Sequence, residues 1–310
     1  MKKTYYIMAI TAMMLTACSS EDDALTNFEE NQGITVYAQL PQEITTRVSY
    51  ADESAGSTYS VKPSWSSGDY IRHAYKSASG DKIGNKLLTI NGSIGTFTLA
   101  TEPKNPSYVY CWHYTNANSA SMASDATVST CSLTPSTNKD WIYSYVNAYT
   151  QKNLLVGVFY YDGTETFSSA HEITFKNAYA LLKFQVKLPS TATGNLSYAK
   201  IMGWNGSAAT NVGVAGTVTI TGSSGNLAWD NTTSSYYEAT RNISGTFGTS
   251  GDYKTATFYA LVTPQTFNGL YLEVKDAADT PVTYTYKANG NVELQAGYMY
   301  GIKAKMTKVE

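Results

Sequence analysis

The chain has 310 residues, a formal net charge of −2 and only 15% charged residues. Outside its first residues the sequence has no Lys/Arg cluster, which argues against a nucleic-acid partner, because phosphate neutralisation needs a basic surface. Its 26 tyrosines accompany many Thr, Ser, Gly and Asn residues, a composition typical of strands and turns. We predict an all-β protein, and the length favours two domains of roughly 100 to 200 residues each.

The chain begins with the pattern of a bacterial lipoprotein signal peptide. Lys2 and Lys3 precede an apolar run that is too short to span a bilayer, and the run closes on Leu15-Thr16-Ala17-Cys18. A cysteine just after the cut is the acylation site of such proteins. We therefore predict residues 1–17 as signal peptide and Cys18 as the lipid (palmitate) attachment site. The acidic residues after Cys18 resemble the export signal of surface-exposed outer-membrane lipoproteins in Bacteroidetes-type bacteria.

Residues 18–32 are acidic and polar, and we predict a disordered tether there. The fold begins with a half-buried strand, in which Ile34, Val36, Ala38 and Leu40 alternate with polar residues. A polar loop that contains Arg47 is predicted to follow this strand.

Further strands are predicted in the first half of the chain by alternating apolar residues. They are Leu87–Ile90, Thr96–Leu99, Tyr108–Tyr114, Trp141–Tyr145, Leu154–Tyr161 and Tyr179–Leu188. Asn91-Gly92 favours a hairpin turn between the first two. In the last strand, we expect the face that carries Lys183, Gln185 and Lys187 to meet water.

The cluster of proline, glycine and small polar residues from Pro189 to Gly194 is the predicted domain boundary. It divides the fold into domains at 33–189 and 190–310. The predicted strands of the second domain are Leu196–Gly203, Val214–Ile220, Thr255–Val262, Leu270–Lys275, Val282–Tyr286 and Tyr298–Met306. Turns are predicted at Gly222–Gly225, Asn268-Gly269 and Asn289-Gly290-Asn291. Short strands at this spacing indicate two β-sandwiches in tandem.

Few side chains carry a signal for chemistry. Cys111 and Cys131 either form one disulfide, as an exported protein permits, or remain two buried thiols. The three histidines are isolated from one another, and no spacing matches a nucleophile motif, so we predict no catalysis, no metal and no cofactor. Trp141, Tyr143 and Tyr145 share one strand face, where they either stack on sugar rings or fill a sandwich core.

Five segments together resemble the Mfa-like fimbrillin family in order and spacing. They are Thr46–Tyr50, Trp65–Ile71, Asn177–Phe184, Phe258–Gln265 and Leu294–Tyr300. The resemblance implies a lipoprotein precursor of the Bacteroidetes type V pilus, built as two transthyretin-like antiparallel β-sandwich domains and supporting cell adhesion.

The resemblance also implies how such a precursor matures. An arginine-specific surface protease cuts after an arginine near the first strand, here Arg47 before Val48, and the lipidated segment leaves. A neighbouring pilus subunit then fills the exposed groove with a donated strand. Because the sequence ends soon after Tyr298–Met306, either that strand is the donor or the chain is a tip or accessory subunit that receives without donating.

The alternative hypothesis is a protein of another class. It is a permanently anchored surface lipoprotein that binds glycans through exposed aromatic side chains, with Trp141, Tyr143 and Tyr145 as the candidates.

Overall fold

The computed structural model describes twelve segments of the chain. They are residues 34–40, 46–50, 65–113, 121–122, 129–134, 142–143, 154–162, 170–193, 195–213, 216–230, 237–239 and 248–310. The signal peptide, Cys18 and the tether lie outside them. Within these segments all regular structure is β-strand, so the all-β prediction is confirmed.

The strands of the first half of the chain are, in order, β1 Ile34–Gln39, β2 Thr46–Tyr50, β3 Tyr70–Ser77, β4 Gly80–Leu87, β5 Thr89–Asn91, β6 Ile94–Leu99, β7 Ser107–His113, β8 Ser121–Met122, β9 Thr130–Thr134, β10 Ile142–Tyr143, β11 Leu155–Tyr161, β12 Ala170–Thr174, β13 Lys176–Asn177 and β14 Ala180–Pro189.

Those of the second half are β15 Leu196–Trp204, β16 Ala209–Thr210, β17 Thr217–Thr221, β18 Asn226–Asp230, β19 Tyr237–Ala239, β20 Gly248–Ser250, β21 Tyr253–Val262, β22 Gln265–Asp276, β23 Thr283–Leu294, β24 Met299–Lys305 and β25 Thr307–Lys308.

The described strands form five sheets, each named here after one of its strands. The β1 sheet has the order β12-β1-β6-β5, and the β7 sheet has the order β13-β11-β7-β3-β4. The β14 sheet has the order β10-β21-β14-β24-β2, with β20 added on β21. The β22 sheet has the order β16-β15-β22-β23-β25, with β19 added on β15, and the β17 sheet has the order β18-β17-β9-β8.

The β1 sheet and the β7 sheet pack face to face around an N-terminal core. Val36 and Phe97 from one sheet and Val109 and Leu155 from the other belong to the same buried cluster. Alternate residues of β7, including Tyr110 and Trp112, join a second cluster. Because successive side chains of a strand point to opposite faces, the β7 sheet has one face in each core.

The C-terminal core lies between the β14 sheet and the β22 sheet. Phe184 and Phe258 stack with ring centroids 4.8 Å apart, and they share a cluster with Ile201 and Leu272 of the β22 sheet. Val218 of the β17 sheet joins the same cluster. Paired sheets around apolar cores are the β-sandwich architecture that the sequence predicted.

The structure corrects four local predictions. The pairs β1–β12, β14–β24 and β2–β24 are parallel, whereas we predicted antiparallel sheets. Asn268-Gly269 is a register shift inside β22, and the Asn289–Asn291 segment lies within β23, so neither is a turn that ends a strand. Lys183 is only 6% exposed, so its end of the outer face of β14 is covered rather than solvated.

Strand β14 precedes the predicted boundary, but both of its partners in the sheet follow that boundary. Ala180–Pro189 is antiparallel to Tyr253–Val262 and parallel to Met299–Lys305. The division after Pro189 stays a prediction, and these pairings group β14 with strands of the C-terminal half.

Candidate functional site

The most distinctive site of the fold is the slot that β1 occupies in the β1 sheet. β1 pairs antiparallel with β6, from Ile34 opposite Leu99 to Gln39 opposite Ile94. On its other side it pairs in parallel with β12, from Thr35 opposite Ala170 to Gln39 opposite Thr174. The N-terminal strand is therefore an interior strand, held by hydrogen bonds along both edges.

The inner face of β1 fills the N-terminal core. Ile34, Val36 and Ala38 are 0% exposed, as the alternating pattern predicted. The floor of the slot is closely packed, because a Cβ added to Gly157 of β11 would lie 2.7 Å from Ile173 of β12. Glycine at position 157 thus lets the two sheets approach where β1 is embedded.

Polar contacts hold the C-terminal end of β1. The indole Nε1 of Trp65 donates to the carbonyl of Ala38 at 3.0 Å, and this bond is buried. The backbone N–H of Phe175 donates to the carbonyl of Gln39 at 2.9 Å. The side chain of Gln39 donates to Glu172 at 3.2 Å. These contacts fix the register of the strand in the slot.

A slot of this kind can hold any extended segment with apolar residues at alternate positions. Burial of a Val or Ile side chain contributes about 1.5–3 kcal/mol, and two backbone ladders add to that. An empty slot would expose the apolar floor together with unpaired N–H and C=O groups of β6 and β12. The slot therefore favours replacement of one strand by another over a vacancy.

Arg47 and Val48 lie in strand β2, so our prediction of a loop at this position was wrong. β2 is the last strand of the β14 sheet and is paired on one side only, with β24, in the described part of the chain. The pairing shifts register between Thr46 and Ser49, which is where Arg47 and Val48 are found. Irregular edge strands open more readily than interior strands, so this backbone is the kind that a protease can extract.

Arg72 provides a contrast within the same chain. It lies in β3, where it is opposite Asn85 of β4 on one side and Trp112 of β7 on the other. A protease would have to separate it from both neighbours. Of the two arginines in described segments, Arg47 has the less protected backbone.

Strand β24 separates β2 from the rest of its sheet. Met299, Ile302 and Ala304 are buried, and the strand runs parallel to both β14 and β2. The N–H of Leu181 donates to the carbonyl of Tyr298 at 2.9 Å, and the N–H of Met306 donates to that of Lys187 at 2.8 Å. Hydrogen bonds to β14 thus hold β24 in the sheet at both of its ends.

Cys111 and Cys131 are both buried and no disulfide joins them, which is the second of the two alternatives that the sequence left open. Cys111 belongs to the N-terminal core and Cys131 to the C-terminal core. Burial raises the pKa of the Cys131 thiol to about 12 and raises that of Cys111 well above its usual range. Both thiols are therefore protonated and unreactive at neutral pH.

The remaining predicted site residues are mostly outside the described segments. Cys18, Trp141 and Tyr145 lie there, and of Tyr143 only the backbone is described, in β10 opposite Tyr259. Lipid attachment, processing after Arg47 and glycan stacking at these aromatic residues stay predictions.

His113 illustrates how a histidine serves the fold. Its Nδ1 lies 2.8 Å from the carbonyl of Tyr70, and its ring meets Trp65 edge to face. In the described segments no group of His, Cys, Asp or Glu side chains is arranged to hold a metal ion. A helix with the length and hydrophobicity to cross a membrane is likewise not found there.

The sequence did not identify β12, the parallel neighbour of β1. The alternation of His171 and Ile173, which Phe175 continues just after the strand, is a signal that could have found it. The contribution of Trp65 was also missed, because its hydrogen bond to Ala38 joins residues that are far apart in sequence.

The geometry defines an all-β protein with paired sheets and an interior N-terminal strand. No family model matches the chain, and no curated protein sequence does. Solved structures with a related arrangement include a proposed cell adhesion protein from Bacteroides ovatus, with 14% identity, a TM-score of 0.44, and 90% of this chain and 96% of that chain covered. A proposed cell adhesion protein from Bacteroides fragilis has 12% identity and a TM-score of 0.44, with 90% and 97% covered.

The fimbrial anchor protein Mfa2 from Porphyromonas gingivalis is also among these structures. It has 11% identity and a TM-score of 0.35, with 79% of this chain and 78% of that chain covered. At these values the similarity carries no function over to this chain, and the fimbrillin family remains a resemblance by motif.

Proposed function

We propose that this chain is a non-enzymatic, fimbrillin-like pilus subunit precursor that supports adhesion at the cell surface. It is exported as an outer-membrane lipoprotein, with lipid on Cys18. A surface protease cuts after Arg47, the segment that carries β1 leaves, and a strand from another subunit takes its place. The observation that carries the proposal is the position of β1 as an interior strand between β6 and β12.

The position of Arg47 supports the order of these steps. Arg47 follows β1 in the chain but lies in another sheet, in an edge strand with an irregular register. A cut there separates β1 from the body of the protein without touching the β1 ladders. The cut alone does not empty the slot, so exchange waits for a strand that competes for the same apolar positions.

The surroundings of β24 favour a subunit that receives a strand without donating its own C-terminal one. Donation of Met299–Lys305 would remove an interior strand from the β14 sheet and expose its buried residues. A tip or accessory position in the pilus agrees with this arrangement.

The proposal is tested on intact cells that express the protein. On cells that also carry the other pilus subunits, treatment with an arginine-specific protease should move the anchored monomer into SDS-resistant, heat-labile ladders that it forms with them. Arg47→Lys keeps the charge but removes the arginine, so it should abolish laddering. The matched control carries Arg72→Lys and Arg241→Lys, which leave Arg47 as the single arginine of the sequence and should ladder normally. Laddering by the Arg47→Lys protein would contradict the site.

The N-terminal residue of the protein recovered from cells gives a second, independent readout. Val48 is expected from processed subunits. A protein that keeps its lipidated Cys18 after protease treatment, and stays monomeric, would contradict processing and assembly together.

A further inference from the structure

A cleft of about 440 Å³ opens where the β7 sheet meets the turn between β17 and β18. Tyr108 and Tyr160 line one side, and the turn Gly222–Gly225 lines the other. The volume lies within the range of small-molecule sites, roughly 300–1,000 Å³. Because strand exchange uses the β1 slot, this cleft serves neither the proposed processing nor the proposed assembly.

Two tyrosine rings form the apolar wall of the cleft. Tyr108 and Tyr160 are directly opposite each other on β7 and β11, and their ring centroids are 4.9 Å apart. Tyr160 is 49% exposed, although Val156 and Val158 on the same face of β11 are buried or half-buried. A large aromatic side chain left in solvent beside a cleft is available to stack on a ligand.

The turn holds the ring of Tyr108 in place. A Cβ added to Gly222 would clash with Cγ of Tyr108, so the backbone of the turn packs directly against that ring. The turn therefore fixes the ring of Tyr108, and Tyr160 is the exposed member of the aromatic pair.

The polar side of the cleft carries one positive charge and no negative charge. Lys176 is its charged lining residue, and Thr174, Ser223 and Ser224 supply hydroxyl groups. The ammonium of Lys176 donates to the carbonyls of Ser224 and Gly225, at 3.3 Å each. These bonds hold it at the rim, and its third N–H is free to bind an anion.

We propose that this cleft binds an acidic pyranose, a sugar residue that carries a carboxylate, within a surface polysaccharide. The apolar face of the ring stacks on Tyr160, the carboxylate pairs with Lys176, and hydroxyl groups of the turn bind those of the sugar. A partly apolar ring with a charged edge matches a site with one aromatic wall and one cationic rim.

Calorimetric titration of the whole purified chain tests the proposal. The probes are trisaccharides of galacturonate and of mannuronate, a hyaluronan tetrasaccharide, and uncharged galactotriose. We expect saturable binding of at least one acidic probe, in preference to galactotriose. Tyr160→Ala should weaken it by about tenfold or more, which is the effect of losing a central aromatic contact of about 1.4 kcal/mol.

Three further variants keep the test decisive. Tyr37→Ala removes a comparably exposed tyrosine on β1, away from the cleft, and should leave binding unchanged. Tyr160→Phe keeps the ring and should retain most of the affinity. Lys176→Met should abolish the preference for acidic probes. Thermal unfolding of each variant shows that the fold is intact.

Absence of saturable binding to all three acidic probes would overturn the proposal. Binding that survives Tyr160→Ala would overturn it as well. Equal affinity for galactotriose and for the acidic probes would overturn the assignment of an acidic sugar as the ligand. None of these results depends on processing at Arg47, so failure of pilus assembly and failure of this site are separate outcomes.

Discussion

The retention of β1 in its slot can be tested by removing one buried side chain from the strand. Ile34→Ala deletes most of a fully buried side chain while leaving the backbone ladders to β6 and β12 in place. Tyr37→Ala is the matched control, because Tyr37 lies on the other face of the same strand and is 36% exposed. The two variants separate the contribution of the buried face of β1 from that of its exposed face.

The expected effects on the dissociation rate differ by about sixfold or more. Replacing a fully buried Ile by Ala destabilises a protein by about 2–5 kcal/mol, through lost burial and the cavity that remains. If this loss falls on dissociation of the cut segment, the segment leaves roughly 30-fold to several thousand-fold faster. Tyr37 contributes mainly through cross-strand contacts, about 1 kcal/mol or less, so its removal should change the rate by about fivefold at most.

The assay uses the purified chain with Arg72→Lys and Arg241→Lys, so that an arginine-specific protease cuts at Arg47 alone. Size-exclusion chromatography and mass spectrometry then follow the segment that ends at Arg47 over time. Before the cut, urea unfolding gives the loss of free energy of unfolding for each variant.

Equal dissociation rates for Ile34→Ala and Tyr37→Ala would refute the reasoning, because they would mean that the buried face of β1 does not hold the strand. Immediate loss of the segment from the cut, otherwise unchanged chain would refute it too. That result would mean that the covalent link through Arg47, and not the backbone ladders or the apolar slot, holds β1 in place.

Three further predictions concern buried groups. Burial, and secondarily the charge of Lys86, lower the pKa of His73 from 6.5 to about 4. Between these pH values the imidazole is protonated in the unfolded chain but not in the folded chain. Stability should therefore be complete above pH 6.5 and fall by up to about 3 kcal/mol as pH drops to 4. In urea unfolding, the His73→Phe variant should not show this loss of stability between pH 6.5 and 4. A pH profile equal to that of the unsubstituted chain would contradict the role of His73. Cys111 and Cys131 should resist iodoacetamide in the folded chain and react in urea, and rapid labelling under native conditions would disprove their burial. The carboxylate of Asp276 accepts three hydrogen bonds. Asp276→Ala should lower the free energy of unfolding by about 3 kcal/mol in urea titrations, and a loss below about 1 kcal/mol would argue against these bonds.

Local alternation predicted the strands with a clear inside and outside. β1 is the best example, since its apolar positions at 34, 36 and 38 are all buried, and the Asn91-Gly92 hairpin between β5 and β6 is also observed. The parallel pairing of β1 with β12 could not be predicted in this way, because 135 residues separate Thr35 from its partner Ala170 and no local pattern encodes that contact.

Turn signals failed where two long strands pair with each other. Gly269 of β22 is opposite Asn289 of β23, so the two predicted turns face each other within one ladder. Glycine and asparagine there accommodate a bulge instead of reversing the chain. The domain boundary was difficult to predict for a related reason. The Pro189 cluster marks the end of β14, but the strands that pair with β14 come much later in the chain. We propose that the C-terminal unit includes β14.

The functional prediction at Arg47 came from the resemblance, and the sequence could not place it in a sheet. A short polar segment after a strand is compatible with a loop, and its pairing with β24 joins Thr46 to Met299 across the length of the protein. The Tyr108–Tyr160 cleft was missed for the same reason. Each tyrosine alone fits a core position, and the cleft forms only together with a turn that is contributed by residues 222–225.

Arg47 lies in β2 of the β14 sheet, whereas β1, the strand that a cut after Arg47 would release, lies in a different sheet. β1 belongs to the N-terminal core, whereas Ser49 and Tyr50 pair with Gly301 and Ile302 at the edge of the C-terminal sheet. A cut after Arg47 leaves these last residues of β2 attached to the body of the protein, where they continue to cover β24. Departure of β1 would then remove apolar contacts from the N-terminal core alone. The C-terminal sandwich would keep its interior strands throughout, so the subunit could exchange one strand without unfolding the half that does not take part.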